Sequence, residues 1–88
     1  MKKQSGTARI CEVMISNSLL HCKVNSINSI VEKMRQITGE KFPIVKYSGT
    51  DYPVEDPWIV ELLIGDTKVI VKFTMNENHF INKIEVEE

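Results

Sequence analysis

The stretch WIVELLIGDTKVIVKFTM, residues 58–75, decides the fold of this chain. Apolar residues occupy alternate positions on both sides of Gly65-Asp66, a dipeptide typical of the two-residue turn in a β-hairpin. Because side chains in a strand repeat with a period of two, such a turn places the alternating apolar residues on one face of the sheet. The predicted pairs on that face are Trp58 with Phe73, Val60 with Val71 and Leu62 with Val69.

The chain downstream of this hairpin predicts a further strand, Phe80–Val86, after a turn at Asn78-His79. That turn sets Lys72 opposite Glu85, whereas a turn one residue earlier would set Lys72 opposite Lys83. We prefer the first register because opposite charges that face each other across two strands attract.

A helix is the clearest element upstream of the hairpin. Its apolar residues follow the spacing of one helical face, and they are Ile27, Ile30, Val31, Met34 and Ile37. Asn25 or Ser26 can cap its N-terminus, and Gly39 tolerates the left-handed conformation that ends a helix. A strand at Phe42–Tyr47 follows, which Pro43 restricts to a strand start or a sheet edge.

The first part of the chain predicts a second hairpin, with strands at Ala8–Ile15 and Leu19–Val24. We favour it over an N-terminal helix through Ile10–Leu20 because the Ser-Asn-Ser tripeptide before Leu19 suits a turn better than a helix. The predicted element order is therefore β-β-α-β-β-β-β, an α+β fold with one helix packed on an antiparallel β-meander. We expect a flexible N-terminus over residues 1–7 and a single domain over residues 8–88.

The composition is that of a globular protein rather than a disordered or membrane protein. The net charge of −1, from eleven basic and twelve acidic residues, gives no reason to expect a polyanionic partner. No apolar run reaches the roughly 18–20 residues of a membrane span, and none follows the basic N-terminus as a signal peptide requires. We therefore expect a cytoplasmic protein, and the abundance of Ile, Asn and Lys is typical of an AT-rich bacterial or phage genome.

The side chains that could carry chemistry form no catalytic, cofactor or metal motif. We expect Cys11 and Cys22 to be reduced thiols, because disulfides are rare in the cytoplasm and neither belongs to a Cys-x-x-Cys pair. The serines lack a nucleophile elbow, and the glycines are too isolated to form a phosphate-binding loop. The sequence therefore predicts a protein that is not an enzyme and that binds no cofactor or metal.

Two groups of residues are candidate partner-binding surfaces. The loop before the hairpin combines aromatic and acidic side chains, which suits contact with a basic protein surface. The second face of the sheet carries apolar residues that one helix cannot cover, so either residues 8–24 fold across it or it is a contact surface. The residues are Tyr47, Asp51, Tyr52, Glu55 and Asp56 in and beside the loop, and Ile59, Leu63, Ile70 and Ile81 on the second face.

These features favour a small non-enzymatic protein-binding module, an inhibitor, antidote, immunity protein or adaptor that sterically occludes a protein partner. A homodimer through the second sheet face or a strand edge is compatible with this function. One alternative is a nucleic-acid-binding module with a basic edge formed by Arg9, Lys23, Lys33 and Arg35. Another is a small-molecule-binding domain whose pocket, between helix and sheet, is lined by Met34, Trp58 and Phe73.

Overall fold

The computed structural model describes residues 6–88, in which two helices pack against one face of a four-stranded antiparallel sheet. The elements in chain order are α1 (Gly6–Leu19), α2 (Ile27–Thr38), β1 (Ile44–Ser48), β2 (Trp58–Ile64), β3 (Thr67–Met75) and β4 (Ile81–Glu87). The strands lie side by side in the order β1-β2-β3-β4. The predicted α+β class is confirmed, but the predicted order β-β-α-β-β-β-β is wrong because the described chain runs α-α-β-β-β-β. Most of the predicted flexible N-terminus lies outside the described residues, and Gly6 and Thr7 belong to α1.

Helix α1 takes the place of the predicted N-terminal hairpin. Its buried residues follow the spacing of one helical face and are Ala8, Cys11, Ile15 and Leu19. Val13, which a strand would bury together with Cys11 and Ile15, is instead 55% exposed. The Ser-Asn-Ser tripeptide lies in the last turns of the helix, off the buried stripe. Burial of that stripe against the core therefore outweighs the weak helix propensity of these polar residues.

Helix α2 forms where the apolar spacing predicts it. Its buried residues are Ile27, Ile30, Val31, Met34 and Thr38, and Ile37 packs beside them half-buried. The Ser26 hydroxyl accepts a hydrogen bond from the Ser29 backbone N–H at 3.2 Å, which caps the first turn. Gly39 ends the helix with a φ of 61°, and its N–H donates to the Arg35 carbonyl at 2.9 Å.

The predicted register of β2 with β3 is confirmed, and so is the predicted pairing across most of β3 and β4. The β3–β4 turn lies at Glu77-Asn78, where the His79 N–H donates to the Asn76 carbonyl at 3.0 Å, so the predicted turn at Asn78-His79 is wrong. A bulge in β4 restores the predicted pairing. Trp58 pairs with Phe73, and the centroids of the two rings lie 5.6 Å apart. Lys72 pairs with Glu85, as the attractive register predicts. Gly65 has a φ of 62° in the β2–β3 turn, a left-handed conformation that glycine adopts without strain. The Trp58 face of the sheet forms one wall of the core, and buried side chains of both helices form the other.

Ile81 does not lie where the alternation of the last strand predicts it. The expected position is the second sheet face, but the side chain is fully buried in the core. The register steps from the Thr74–Lys83 pair to the Met75–Ile81 pair, so Asn82 is an extra residue on β4. This β-bulge reverses the alternation at the start of the strand and turns Ile81 toward the core.

The outer edge of β4 is covered by the N-terminal part of the chain. The Glu12 carboxylate on α1 accepts a hydrogen bond from the Val86 N–H at 2.9 Å. Just before β4, Lys23 forms an antiparallel bridge with Phe80. These contacts satisfy backbone groups that an edge strand otherwise offers to other chains.

Candidate functional site

The loop between β1 and β2, residues 49–57, begins tightly packed against α2 and β2. A Cβ atom on Gly49 would lie 3.0 Å from the Ile27 side chain and 3.1 Å from the Ile59 carbonyl oxygen, so only glycine fits there without a shift. Two residues later, the Asp51 carbonyl accepts a hydrogen bond from the Ile27 N–H at 2.8 Å. The loop therefore starts from a fixed position at the N-terminal end of α2.

Side-chain hydrogen bonds fix the remainder of this loop. The Thr50 hydroxyl accepts from the indole N–H of Trp58 at 2.9 Å and donates to the Tyr52 carbonyl at 2.8 Å. At the far end of the loop, the Asp56 carboxylate accepts from the Met75 N–H at 3.2 Å. The loop is thus tied to the buried indole and to the end of β3. Its other side chains are presented from a backbone that is already ordered.

Two of those side chains are the most exposed large hydrophobic residues of the described chain. Tyr52 is 62% exposed and Val54 is 69% exposed. Beside them, the loop and the β3–β4 turn border a surface depression of about 420 Å³. Its titratable lining residues are Glu55, Asp56, Glu77 and His79, with no lysine or arginine among the residues that line it. An exposed aromatic ring and an acidic depression therefore lie at the same end of the molecule.

The β3–β4 turn that forms the other wall of the depression is also ordered by its own side chains. The Asn76 side-chain oxygen accepts hydrogen bonds from the Asn78 N–H at 2.9 Å and from the Phe80 N–H at 3.0 Å. His79 has a φ of 65°, so the turn uses a left-handed residue. Of the residues predicted for the loop surface, the structure thus brings Asp51, Tyr52, Glu55 and Asp56 together on one loop.

Tyr47, which the sequence groups with the loop, has a different position. It lies half-buried on β1, and its hydroxyl donates to the Asn28 side chain of α2. The Arg35 guanidinium lies 5.6 Å from the centroid of the Tyr47 ring and donates to the Ile44 carbonyl at 3.1 and 3.3 Å. Tyr47 and Arg35 therefore join α2 to β1, which is a structural role.

The sheet face opposite the Trp58 side, here named the open face, is the second candidate surface. Ile59 is 46% exposed there, and Leu63 and Ile70 are half-buried. Both helices place their buried residues in the core on the Trp58 side. The predicted alternative, in which residues 8–24 fold across the open face, is therefore wrong. Ile81 is excluded from this surface because it is buried in the core.

Charged pairs surround the apolar residues of the open face. Lys68 and Glu61 are joined across β3 and β2 at 2.9 Å between the ammonium nitrogen and a carboxylate oxygen. Lys72 and Glu87 are joined in the same way across β3 and β4 at 2.9 Å. Glu61 lies between Ile59 and Leu63 on β2, and Ile70 lies between two lysines on β3, so charged and apolar side chains alternate along the open face of both central strands.

The residues of the nucleic-acid alternative lie on separate parts of the fold. Arg9 is on α1, Lys23 is in the connection after it, and Lys33 is on α2, all exposed. Arg35 is two residues from Lys33 on α2, a spacing that places two side chains on different sides of a helix. The Arg35 guanidinium donates a hydrogen bond to the Ile44 carbonyl, and one of its nitrogens lies 3.8 Å from a carboxylate oxygen of Glu32. The predicted hairpin that would have carried a basic edge is absent from the described chain.

The cysteines and the possible metal-ligating side chains show no sign of a reactive or metal-binding site in the described part of the chain. Cys11 is buried on α1, and desolvation raises the pKa of its thiol. Cys22 is half-buried, and both thiols are free. In the described part of the chain, no three His, Cys, Asp or Glu side chains converge on a possible metal position. Neither helix of residues 6–88 has the length and apolar character needed to cross a membrane.

The core between helices and sheet is occupied by the residues that the small-molecule alternative uses as a pocket lining. Met34, Trp58 and Phe73 are buried in the same cluster. A further set of exposed apolar residues, Ile10 and Val13 on α1, is not predicted as a surface. Helical spacing separates both residues from the buried stripe, whereas the strand interpretation places Val13 on the same face as Cys11 and Ile15.

No protein-family model matches the chain, and no curated protein and no solved structure is significantly similar to it. Function therefore has to be inferred from the residues, burial and charges of this chain itself.

Proposed function

We propose that this chain is a small non-enzymatic protein-binding module that acts by steric occlusion of a protein partner, as an inhibitor, an antidote or an adaptor does. The observation that carries the proposal is the ordered loop that holds Tyr52 and Val54 at 62% and 69% exposure. Because the backbone of the loop is already ordered, it loses little conformational entropy on binding. Tyrosine is also among the residues that dominate binding energy at protein interfaces.

The charge beside these side chains supports a partner with a basic surface. Glu55, Asp56 and Glu77 border the depression next to the loop without any lysine or arginine among its lining residues. Opposite charge on a partner would steer the encounter and would be screened by salt. We therefore expect the association rate with the partner to fall as the salt concentration rises.

The other two functions have less support from the fold. A nucleic-acid interface needs a continuous basic surface, whereas Arg9, Lys23 and Lys33 lie on separate elements and Arg35 is engaged in internal bonds. A ligand pocket between helix and sheet would have to replace packed side chains, because Trp58 and the residues around it are buried in one cluster.

Affinity capture from a lysate of the source cells tests the proposal. The tagged wild-type protein is compared with the loop variant Tyr52→Ala/Val54→Ala and with Val13→Ala. Val13 is a matched control because it is also an exposed apolar residue, at 55%, but lies on α1. Circular dichroism first establishes that all three proteins are folded.

We expect one protein to be captured in stoichiometric amount by the wild type and by Val13→Ala, and to be lost with the loop variant. Equal capture by the loop variant would contradict the assignment of the surface. Recovery of nucleic acid alone, released as salt rises, would contradict the proposed function itself.

A further inference from the structure

The open face has a charge pattern that differs from strand to strand. On this face β2 carries Glu61, and β3 carries Lys68 and Lys72. The outer strands also carry charges of opposite sign on this face. β1 carries Lys46, whereas β4 carries two acidic residues, Glu85 and Glu87, and one basic residue, Lys83. From β1 to β4 the net sign therefore runs positive, negative, positive, negative.

Such a pattern is complementary to itself under one kind of two-fold rotation. If the axis runs parallel to the strands, between β2 and β3, then β2 of one copy faces β3 of the other, and β1 faces β4. Each strand then meets a strand of the opposite sign. We propose that the open face binds the same face of a second copy of this chain, with the two-fold axis in this direction.

The register between β2 and β3 decides which side chains face each other in this arrangement. Ile70 on β3 pairs with Glu61 on β2, so along the strand direction it lies midway between Ile59 and Leu63. Rotation about the proposed axis does not change the position of a residue along the strand direction. Ile70 of one copy therefore lies over Glu61 of the second copy, and Lys68 and Lys72 lie over its Leu63 and Ile59. The methylene groups of the charged side chains cover the apolar residues, and the Glu61 carboxylate lies two residues along the strand from each of these two lysines.

A two-fold axis perpendicular to the strands does not give this match. It would place β2 over β2 and β3 over β3, so that Glu61 approaches its own copy and Lys68 and Lys72 approach other lysines. Like charges in an interface oppose association and exclude wrong arrangements. The charge pattern thus selects one of the two face-to-face arrangements.

The area of the open face is sufficient for a weak specific dimer. Four strands about 4.8 Å apart and about seven residues long cover roughly 19 by 23 Å. Because side chains roughen this surface, the dimer would bury about 1,000 Å² in total, at the lower limit for specific interfaces. We therefore expect a concentration-dependent equilibrium rather than an obligate dimer.

Sedimentation velocity of the full chain, over a concentration series up to about 1 mM, tests the association. The wild type is expected to change from monomer to dimer. Ile70→Glu, which faces Glu61 of the second copy, and Ile59→Lys, which faces its Lys72, are expected to remain monomers, while Val13→Lys on α1 dimerises like the wild type. A wild type that is monomeric throughout, or an Ile59→Lys variant that associates normally, overturns the proposal.

Charge reversal tests the direction of the axis. Glu61→Lys and Lys68→Glu, each alone, bring like charges together twice per dimer, so each is expected to raise the dimer Kd by about tenfold or more. When the two variants are mixed, the lysine introduced in one lies beside the glutamate introduced in the other, and a heterodimer of wild-type affinity is expected. Glu40→Lys, away from the sheet, is the control and is expected to leave the Kd unchanged. Failure of the mixture to associate overturns the proposed axis.

The dimer is independent of the loop surface described above. Tyr52 and Val54 lie on the loop, outside the open face, so a dimer would present two copies of the loop. A monomeric Ile59→Lys variant is therefore expected to capture a protein partner still. A wild type that captures a partner but never dimerises overturns only the present inference, whereas a dimer without any captured partner contradicts only the proposed function.

Discussion

Removing the hydroxyl of Thr50 is expected to destabilise the fold through the single tryptophan. The indole N–H of Trp58, a residue only 2% exposed, donates to the Thr50 hydroxyl at 2.9 Å. Thr50→Val keeps the shape of the side chain but leaves this N–H without its acceptor. A buried donor without a partner costs about 1–3 kcal/mol, and we expect a loss of unfolding free energy in that range.

Urea unfolding followed by circular dichroism measures this loss. A denaturant slope of about 1 kcal/mol per molar urea, typical of small domains, converts it into a midpoint that is lower by about 1–3 M. Thr50→Ser keeps the hydroxyl and is expected to retain most of the stability. In the background of Trp58→Phe, which has no N–H, Thr50→Val is expected to cost little. An equal cost with and without the indole would show that the hydrogen bond is not the cause.

Three further outcomes follow from the bonds and burial described. Burial raises the pKa of Cys11, so the folded state favours the neutral thiol. The free energy of unfolding is therefore expected to keep its full value below the unfolded pKa of about 8.5 and to decline as pH rises above it. Cys11→Ala should flatten this alkaline decline in urea unfolding, with Cys22→Ala as the comparison, and an unchanged decline would refute the assignment. Asp56→Ala should cost about 1 kcal/mol and speed hydrogen exchange of the Met75 amide, since the carboxylate accepts that N–H; protection equal to the wild type would argue against the anchor. Gly65→Ala should lower stability by about 1–2 kcal/mol in the same assay because of the left-handed φ of 62°, and a neutral effect would show that the turn can adapt.

The parts of the fold that sequence predicts are those fixed by local pattern. Gly65-Asp66 sets one register, and the charges of Lys72 and Glu85 select the next. Helix α2 is likewise marked by its apolar spacing and by Ser26 and Gly39 at its ends. In each case the residues that decide the structure lie close together in sequence.

The parts that sequence does not predict depend on distant contacts. Residues 8–19 are compatible with alternation and with helical spacing. The choice is made by burial of Ala8 and Leu19 in the core together with Cys11 and Ile15, while Val13 stays exposed. The position of Ile81 depends on a bulge at Asn82, for which no local signal stands out. Residue types alone indicate the loop surface, but its order rests on bonds to Trp58 and Met75 that only the fold brings near.

The contact between α1 and β4 has a consequence for the order of events during synthesis. Glu12 and Val86 are 74 positions apart, so the ribosome makes every other described element between the two partners. Until β4 emerges, the apolar stripe of α1 lacks the strand on which it packs and stays accessible to chaperones or to other nascent chains. The meander from β2 to β4 can form from near neighbours, whereas docking of α1 waits for contacts between residues more than seventy positions apart, such as Glu12 and Val86. Translation rate through the codons of β4 is therefore expected to affect the yield of folded protein more than translation rate through α1 itself.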